Sequence, residues 1–270
     1  MSLKIATWNI NSVRLRAGLV ERYVQEHQPD ILCLQETKCR DSEFPSGVFK
    51  SMGFDHLAIN GQKGYHGVAI ASRLPILDMD KRDFCGMGDA RHVSVRVKVS
   101  FLGEIPLTIH NFYVPAGGDE PDRQINPKFG HKLDFLDEMT SWFASCKLVE
   151  APAILVGDLN VAPLETDVWS HKALLSVVSH TPIEVAKMGL LQKSGPWIDA
   201  VREKFPADQK IYSWWSYRSP NWEIADKGRR LDHIWMTPPV AKHLQAVSIH
   251  KAARGWERPS DHVPSMVSLA

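Results

Sequence analysis

Cysteine is scarce in this chain: Cys33, Cys39, Cys85 and Cys146 are four among 270 residues, and no two form a CxxC pair. That excludes a disulfide-dense secreted scaffold and a zinc ribbon, and leads us to expect reduced thiols in a cytoplasmic protein. No apolar run approaches the roughly 20 residues that cross a bilayer. The opening Met-Ser-Leu-Lys-Ile-Ala-Thr-Trp lacks the basic segment, apolar stretch and cleavage site of a signal peptide. A membrane partner is therefore not expected. Net charge is also nearly absent, with 32 Lys and Arg against 31 Asp and Glu, so the total gives no hint of a polyanionic partner. The distribution is less even, because residues 201–270 hold 11 basic and 7 acidic side chains. Repeats, low-complexity tracts and linkers longer than a loop are missing. With 44% hydrophobic and 23% charged residues the composition is that of a compact globular protein. At about 100 to 200 residues per domain the length allows one domain or two, and the lack of a linker favours one.

What is present alternates between strand and helix periodicities. Leu3, Ile5 and Thr7 alternate with Lys4, Ala6 and Trp8, predicting a strand at the start of the chain. Leu15, Leu19, Val20, Tyr23 and Val24 predict a helix over 14–27, closed by Pro29-Asp30. Residues 30–36 then form a short apolar run ending on a carboxylate, Glu36. A short helix is expected over 43–51 and strands near 54–59, 66–72, 92–101 and 105–114. Phe129, Leu133, Leu136, Met139 and Phe143 mark an amphipathic helix over 128–146. Ala153–Gly157 is another buried strand, followed at once by Asp158. Helices over 183–191 and 197–204 precede strands at 231–236 and 263–269. Strands packed as two sheets with helices outside fit this pattern.

Polar clusters stand where apolar strands stop: Asn9 with Asn11, Glu36, Asp158 with Asn160, and Asp261 with His262. Any one of them is as well explained by the turn-forming habit of Asp and Asn. Acids and amides converging on one rim would suit a hard divalent cation, because Mg²⁺ takes oxygen ligands and keeps several waters. Zinc fits less well, since the twelve His residues are scattered and no HExxH occurs. A phosphate-binding P-loop and a GxSxG nucleophile motif are both missing. The glycine-rich Gly61-Gln-Lys-Gly-Tyr-His-Gly67 reads by default as a hairpin turn.

Taken together, the clusters occur within Thr7-Trp-Asn-Ile-Asn-Ser12, Leu34-Gln-Glu-Thr-Lys38, Asn111-Phe-Tyr-Val-Pro115, Gly157-Asp-Leu-Asn160, Arg230-Leu-Asp-His233 and Pro259-Ser-Asp-His-Val263. In wording and order these resemble the exonuclease III family of apurinic/apyrimidinic (AP) endonucleases, within the endonuclease/exonuclease/phosphatase superfamily. The resemblance implies an α/β fold of DNase I-like type, a four-layered α/β sandwich of two mainly antiparallel sheets flanked by helices. It implies Glu36 as principal Mg²⁺ ligand, with Mn²⁺ as an alternative ion, and Asn9, Asn11 and Asp261 nearby. Asp158 would orient and deprotonate the attacking water, with Asn160 helping to hold it. Asp232 would pair with His262, and His262 with Tyr113 would contact the scissile phosphate. Protonation of the leaving oxygen is open between metal-bound water and Tyr113. Some relatives carry Asp where this chain has Asn11.

The same chemistry follows from phosphodiester hydrolysis itself, which needs a deprotonated water and compensation of charge building on the phosphoryl oxygens. For DNA selection, Tyr212-Ser-Trp-Trp-Ser-Tyr-Arg218 places aromatics beside Arg218, Lys227, Arg229 and Arg230, a mixture that can stack on bases and meet phosphates. Because adjacent strand residues face opposite ways, one of Trp214 and Trp215 is expected in the core. By resemblance, Trp214 and Leu231 wall a pocket for a flipped base-less sugar. Arg229 departs from the apolar residue frequent there. Lys63 and Tyr65 would lie on a loop near the DNA backbone, with Arg91, Lys128 and Lys132 as further DNA-binding candidates. Trp142, Trp169, Trp197, Trp235 and Trp256 read as packing residues.

The expected activity is Mg²⁺-dependent incision 5′ of abasic sites in double-stranded DNA, with 3′–5′ exonuclease action or cleaning of damaged 3′ ends, by a monomer. The alternatives are a superfamily phosphodiesterase acting on an inositol phosphate or sphingomyelin, and a non-catalytic DNA-binding module. Water-activating acids such as Asp158 speak against the module, since binding alone needs none.

Overall fold

The computed structural model describes residues 2–146, 148–219 and 221–270. Strand Leu3–Asn9 crosses through helix Ala17–His27 to strand Ile31–Gln35, which lies parallel beside it. The same unit recurs in Leu107–Tyr113, helix Pro127–Ser145 and strand Ala153–Asp158. Helix Pro127–Ser145 begins where Asn126 accepts a hydrogen bond from the Lys128 amide and Pro127 supplies a preset first turn.

Antiparallel strands extend each parallel pair into a sheet of six. The first runs in the order Leu244–Ile249, Ser265–Leu269, Leu3–Asn9, Ile31–Gln35, Val68–Ser72, His56–Asn60. The second runs Ile76–Asp80, His92–Val97, Leu107–Tyr113, Ala153–Asp158, Asp232–Met236, Ile198–Asp199. Ile5, Ile31, Cys33 and Ile70 of the first sheet pack in one core with Val95, Ile109, Val156 and Ile234 of the second. The alternate residues Ala6, Trp8, Leu32 and Leu34 pack with Val20, Tyr23 and Val24 of the first helix. Phe112, Leu155 and Trp235 pack likewise with Phe135, Leu136, Met139 and Phe143. Helix, sheet, sheet and helix thus make the four layers implied by the resemblance, each strand pair apolar on both faces because both faces are covered.

The two parallel pairs place the site. Ligands in α/β sheets gather outside the carboxyl ends of parallel strands, and here those ends carry Asn9, Glu36, Tyr113 and Asp158. A buried polar bridge ties the sheets together beneath them. Gln35 Nε2 donates to Thr7 Oγ1 at 2.9 Å and Asn111 Oδ1 at 2.7 Å, while Asn111 Nδ2 donates to the Leu34 and Ala69 carbonyls, both at 3.0 Å.

Some expectations need correction. The segment 43–51 divides into a 3-10 turn, Asp41–Glu43, and a helix, Ser46–Ser51, because Pro45 cannot continue the turn. Residues 197–204 are a two-residue strand followed by helix Ala200–Lys204, whose first amides Asp199 caps. Strands Ile76–Asp80 and Leu244–Ile249 have no counterpart in the sequence reading.

Candidate active site

Asp158 sits at the centre of the rim and is buried. Its Oδ2 accepts from Asn9 Nδ2 at 2.9 Å and Asn160 Nδ2 at 3.2 Å, and its Oδ1 accepts from the Asn160 amide at 3.0 Å. His262 Nε2 lies 3.6 Å from Asp158 Oδ2, too far for a hydrogen bond, which leaves both groups free to share a third oxygen between them. Behind the ring, His262 Nδ1 meets Asp232 Oδ2 at 2.8 Å, and that oxygen also accepts from Ser213 Oγ at 2.6 Å. Ser213 Oγ in turn accepts from the Leu231 and Asp232 amides, both at 3.1 Å. Glu36 faces Asp158 across Asn9, whose Nδ2 also donates to Glu36 Oε1 at 2.9 Å. Tyr113 donates its hydroxyl to the same oxygen at 2.9 Å.

The backbone is contorted where these groups meet. Asn11, Ser12, Glu36, Lys38, His66 and Asn160 all adopt φ between 48° and 86°. Such left-handed non-glycine residues cost energy and gather where a site over-determines them. Gly157, with φ 140°, touches the neighbouring strand so closely that a Cβ would fall on the Phe112 carbonyl, so only glycine admits Asp158 at this height.

Burial and neighbouring charges shift both Asp158 and His262. Burial raises the Asp158 carboxyl and the Asp232 and Glu36 charges add to the rise, against the His262 charge and the Asn9 hydrogen bond. For His262 burial would lower the imidazole, but the Asp232 and Asp158 carboxylates outweigh it and raise it strongly. That shift favours the imidazolium, which donates from Nδ1 to Asp232 Oδ2. Tyr113 is pushed well above its ordinary value by burial and by the Glu36 and Asp158 charges, so it stays a neutral hydroxyl donor.

A cavity of about 800 Å³ opens beside this row, and Glu36, Tyr113, Asp158, Asn160, Asp261 and His262 all line it. Its far wall includes Trp214, Leu231, Arg218 and Arg229, as the sequence suggests, with Trp215 in the core. Arg229 lies over the Trp214 ring, 5.1 Å from its centre, and donates through Nη1 to the Val178 carbonyl at 2.9 Å and Ser179 Oγ at 2.8 Å. Lys63, Tyr65 and Lys128 are exposed, Tyr65 at 71%.

Three DNA-binding candidates are corrected by burial. Lys132 is 0% exposed, paired with Glu184 and donating to the Asn160 carbonyl at 2.7 Å. Arg230, 1% exposed, grips Asp167 through Nε at 2.7 Å and Nη2 at 2.9 Å, and reaches Asp199 at 2.7 Å. Arg91 is buried against Asp89, its guanidinium 5.0 Å from the Tyr113 ring centre, and so props that ring from behind. The sequence reading also missed Trp169, which lines the cavity beneath Lys227, and Lys38 and Ser213. Lys38 and Ser213 do lie inside the quoted motif and the aromatic segment, but nothing in their spacing marks them out.

Among the described residues, ligand atoms of Asp158, Asp232 and His262 come within 4.8 Å of one another. In that trio His262 Nδ1 is already engaged by Asp232 Oδ2 at 2.8 Å, and both Asp158 oxygens accept from amide donors. Glu36 Oε2 and Asn11 Oδ1 fit better, being two oxygens already converging on one cationic group, Lys38 Nζ, at 2.8 and 2.5 Å. Asp261 joins through Asn11 Nδ2 at 3.2 Å and holds Trp214 Nε1 at 2.9 Å. The resemblance puts Asn9 beside the ion, yet its oxygen accepts from the Asn11 amide at 3.1 Å and its Nδ2 serves the two carboxylates.

The model of the endonuclease/exonuclease/phosphatase family matches residues 6–262. Exodeoxyribonuclease III of Haemophilus influenzae is 28% identical over 268 residues, covering 97% of this chain and 98% of that protein. An AP endonuclease structure from Archaeoglobus fulgidus superposes with a TM-score of 0.89 at 30% identity, covering 99% of both chains. A 3′ phosphatase from Neisseria, solved with a product DNA hairpin, gives 0.88 at 28% identity, again covering 99% of both chains. With the family model matched over residues 6–262 and the fold superposing over 99% of both chains, this chain belongs to the endonuclease/exonuclease/phosphatase family.

Proposed function

We propose that this chain is a metal-dependent DNA repair nuclease that hydrolyses the phosphodiester 5′ of an abasic site, leaving a 3′-hydroxyl, and that it also trims or cleans 3′ ends of duplex DNA. The observation that carries this reading is the buried row Asp158, His262, Asp232 beside a cavity walled by Trp214, Leu231 and Arg218. Asp158 takes the proton of the attacking water, which Asn160 helps to hold in line. Its raised proton affinity strengthens it as a base. His262, kept cationic by Asp232, donates to a phosphoryl oxygen, where charge grows in the transition state. Tyr113 turns its neutral hydroxyl to the same phosphate. Glu36, with Asn11 and Asp261 beside it and Asn9 as the amide that spaces it from Asp158, would hold Mg²⁺ or Mn²⁺. Such an ion supplies Lewis-acid stabilisation of the phosphoryl and leaving oxygens when bound. Trp214 and Leu231 would receive the flipped sugar, while Arg218, Arg229, Lys63, Tyr65 and Lys128 meet the DNA. All these residues come from one chain, so the working unit is a single-domain monomer, and we place it in the cytoplasm.

The test is product analysis on duplexes carrying an internal abasic site, a blunt end or a blocked 3′ terminus, each with Mg²⁺ or EDTA, beside a soluble inositol phosphate. We expect metal-dependent nicking 5′ of the abasic site. Preferred hydrolysis of the inositol phosphate would overturn the assignment, and binding without nicking would make the chain a DNA-binding module.

A further inference from the structure

Lys38 has no part in the roles above, yet its ammonium touches the side-chain oxygens of two proposed metal ligands. Nζ lies 2.8 Å from Glu36 Oε2 and 2.5 Å from Asn11 Oδ1. We propose that Lys38 is a resident counter-cation that shares these two oxygens with the divalent ion, so that metal entry displaces it and the displaced ammonium becomes available to the substrate phosphate.

The local backbone makes the arrangement specific. Glu36 and Lys38 stand two residues apart with left-handed φ of 50° and 52°. Lys38 is pinned by its amide to the His66 carbonyl at 2.9 Å, and its own carbonyl accepts from Gly64 at 3.3 Å. The main chain cannot drift, so displacement has to occur in the four-carbon side chain. That side chain is 29% exposed and leaves beside the exposed Lys63–Tyr65 loop, on the side where DNA is expected. A divalent ion held by Glu36 Oε2 and Asn11 Oδ1 would repel an ammonium at the same two oxygens. Asp261, the neighbouring acid, is already engaged through both oxygens, by Asn11 and by Trp214. Removing the ammonium thus removes a competitor, and metal affinity should rise even as phosphate contact is lost.

This inference rests on the reading of Glu36 as metal ligand, and the experiment separates the two. Mn²⁺ is titrated into the intact protein without DNA, and free Mn²⁺ is followed by its electron paramagnetic resonance signal. Lys38→Met should bind Mn²⁺ at least tenfold more tightly than the wild type. Lys38→Arg, which keeps the charge, should stay within about threefold of it, and Glu36→Gln should bind much more weakly. An unchanged or weaker affinity in Lys38→Met, with Glu36→Gln still impaired and both melting as the wild type does, overturns the role of Lys38 alone. Unchanged binding in Glu36→Gln removes the metal site itself. Should Lys38→Met melt early, the charge-keeping Lys38→Arg decides: a tenfold gain there would also contradict displacement of a cation.

Discussion

Asp158 and Asp232 stand directly opposite each other on neighbouring antiparallel strands, and the His262 ring divides their work. Asp158 faces the cavity, so Asp158→Asn keeps the shape while losing the base, together with the hydrogen bonds that one of the two carboxylate oxygens accepts. Turnover should fall by about 10² to 10⁴-fold, the usual effect of removing a general base, with the dissociation constant for abasic duplex nearly unchanged. Near-normal single-turnover rates would remove Asp158 from that role. The arginines also separate by contact. Arg230 neutralises Asp167, whose carboxyl burial would raise but whose Arg230 and Arg202 neighbours bring down. Arg230→Ala leaves that acid buried with half its partners, and should cost about 3 to 5 kcal/mol in denaturant unfolding. Arg218 is exposed on the cavity rim, and Arg218→Ala should instead reduce the salt slope of DNA binding by about 0.9 if it meets one phosphate. An unchanged slope would take Arg218 off the DNA.

Strands and loops turn these side chains into a site, and the bridge under the rim is where this can be tested. Asn111 links the sheets through Gln35 and two carbonyls, directly below Glu36 and Tyr113. Asn111→Leu orphans several buried groups at about 1 to 3 kcal/mol each. Stability should drop by several kcal/mol, and kcat should fall more than KM rises because Tyr113 and Glu36 lose their spacing. A variant with normal kcat would show that the rim is set by the loops alone. Most of this scale was legible beforehand, since covered strands such as Ile31–Gln35 and Ala153–Asp158 are short apolar runs that end on acids. Two of the unforeseen strands, Ile76–Asp80 and Leu244–Ile249, are edge strands with register shifts after their first residues, and outward-facing residues blur their alternation. Candidate site residues were legible as motifs, whereas Ser213, Trp169 and Lys38 act only through neighbours that folding brings to them. Lys132 and Arg230 misled for a related reason. A cation in sequence gives no sign of the acid it will be buried against, here Glu184 from another helix and Asp167 from a 3-10 turn.

Across the whole molecule, the near-zero charge conceals a division between inside and surface. Part of the basic surplus in residues 201–270 is internal, since Arg202 and Arg230 are spent on Asp167 and Asp199. The surface presented to DNA depends on fewer cations than the count suggests, Arg218 and Lys227 among them. The interior also holds neutral histidines, which link stability to pH. His233 donates from Nε2 to the Val161 carbonyl at 2.8 Å, which leaves Nδ1 to accept from Arg230 at 3.3 Å. Burial, followed by the Arg230 charge, lowers its imidazole to about 4. The folded value lies below the ordinary 6.5, so the unfolded chain takes up the proton first as pH falls. The stability His233 contributes is complete above about pH 6.5 and is lost progressively down to about pH 4, on the order of 3 kcal/mol at 1.36 kcal/mol per pKa unit. His110, lowered to about 4 by burial, adds in the same window. Urea unfolding at pH 7.5 and pH 5 should therefore show a clear loss of stability on acidification. His233→Gln, which can still donate to Val161 and accept from Arg230 but has no proton to gain, should start less stable and lose less between the two pH values. An equal loss in both proteins would place the acid sensitivity elsewhere in the fold.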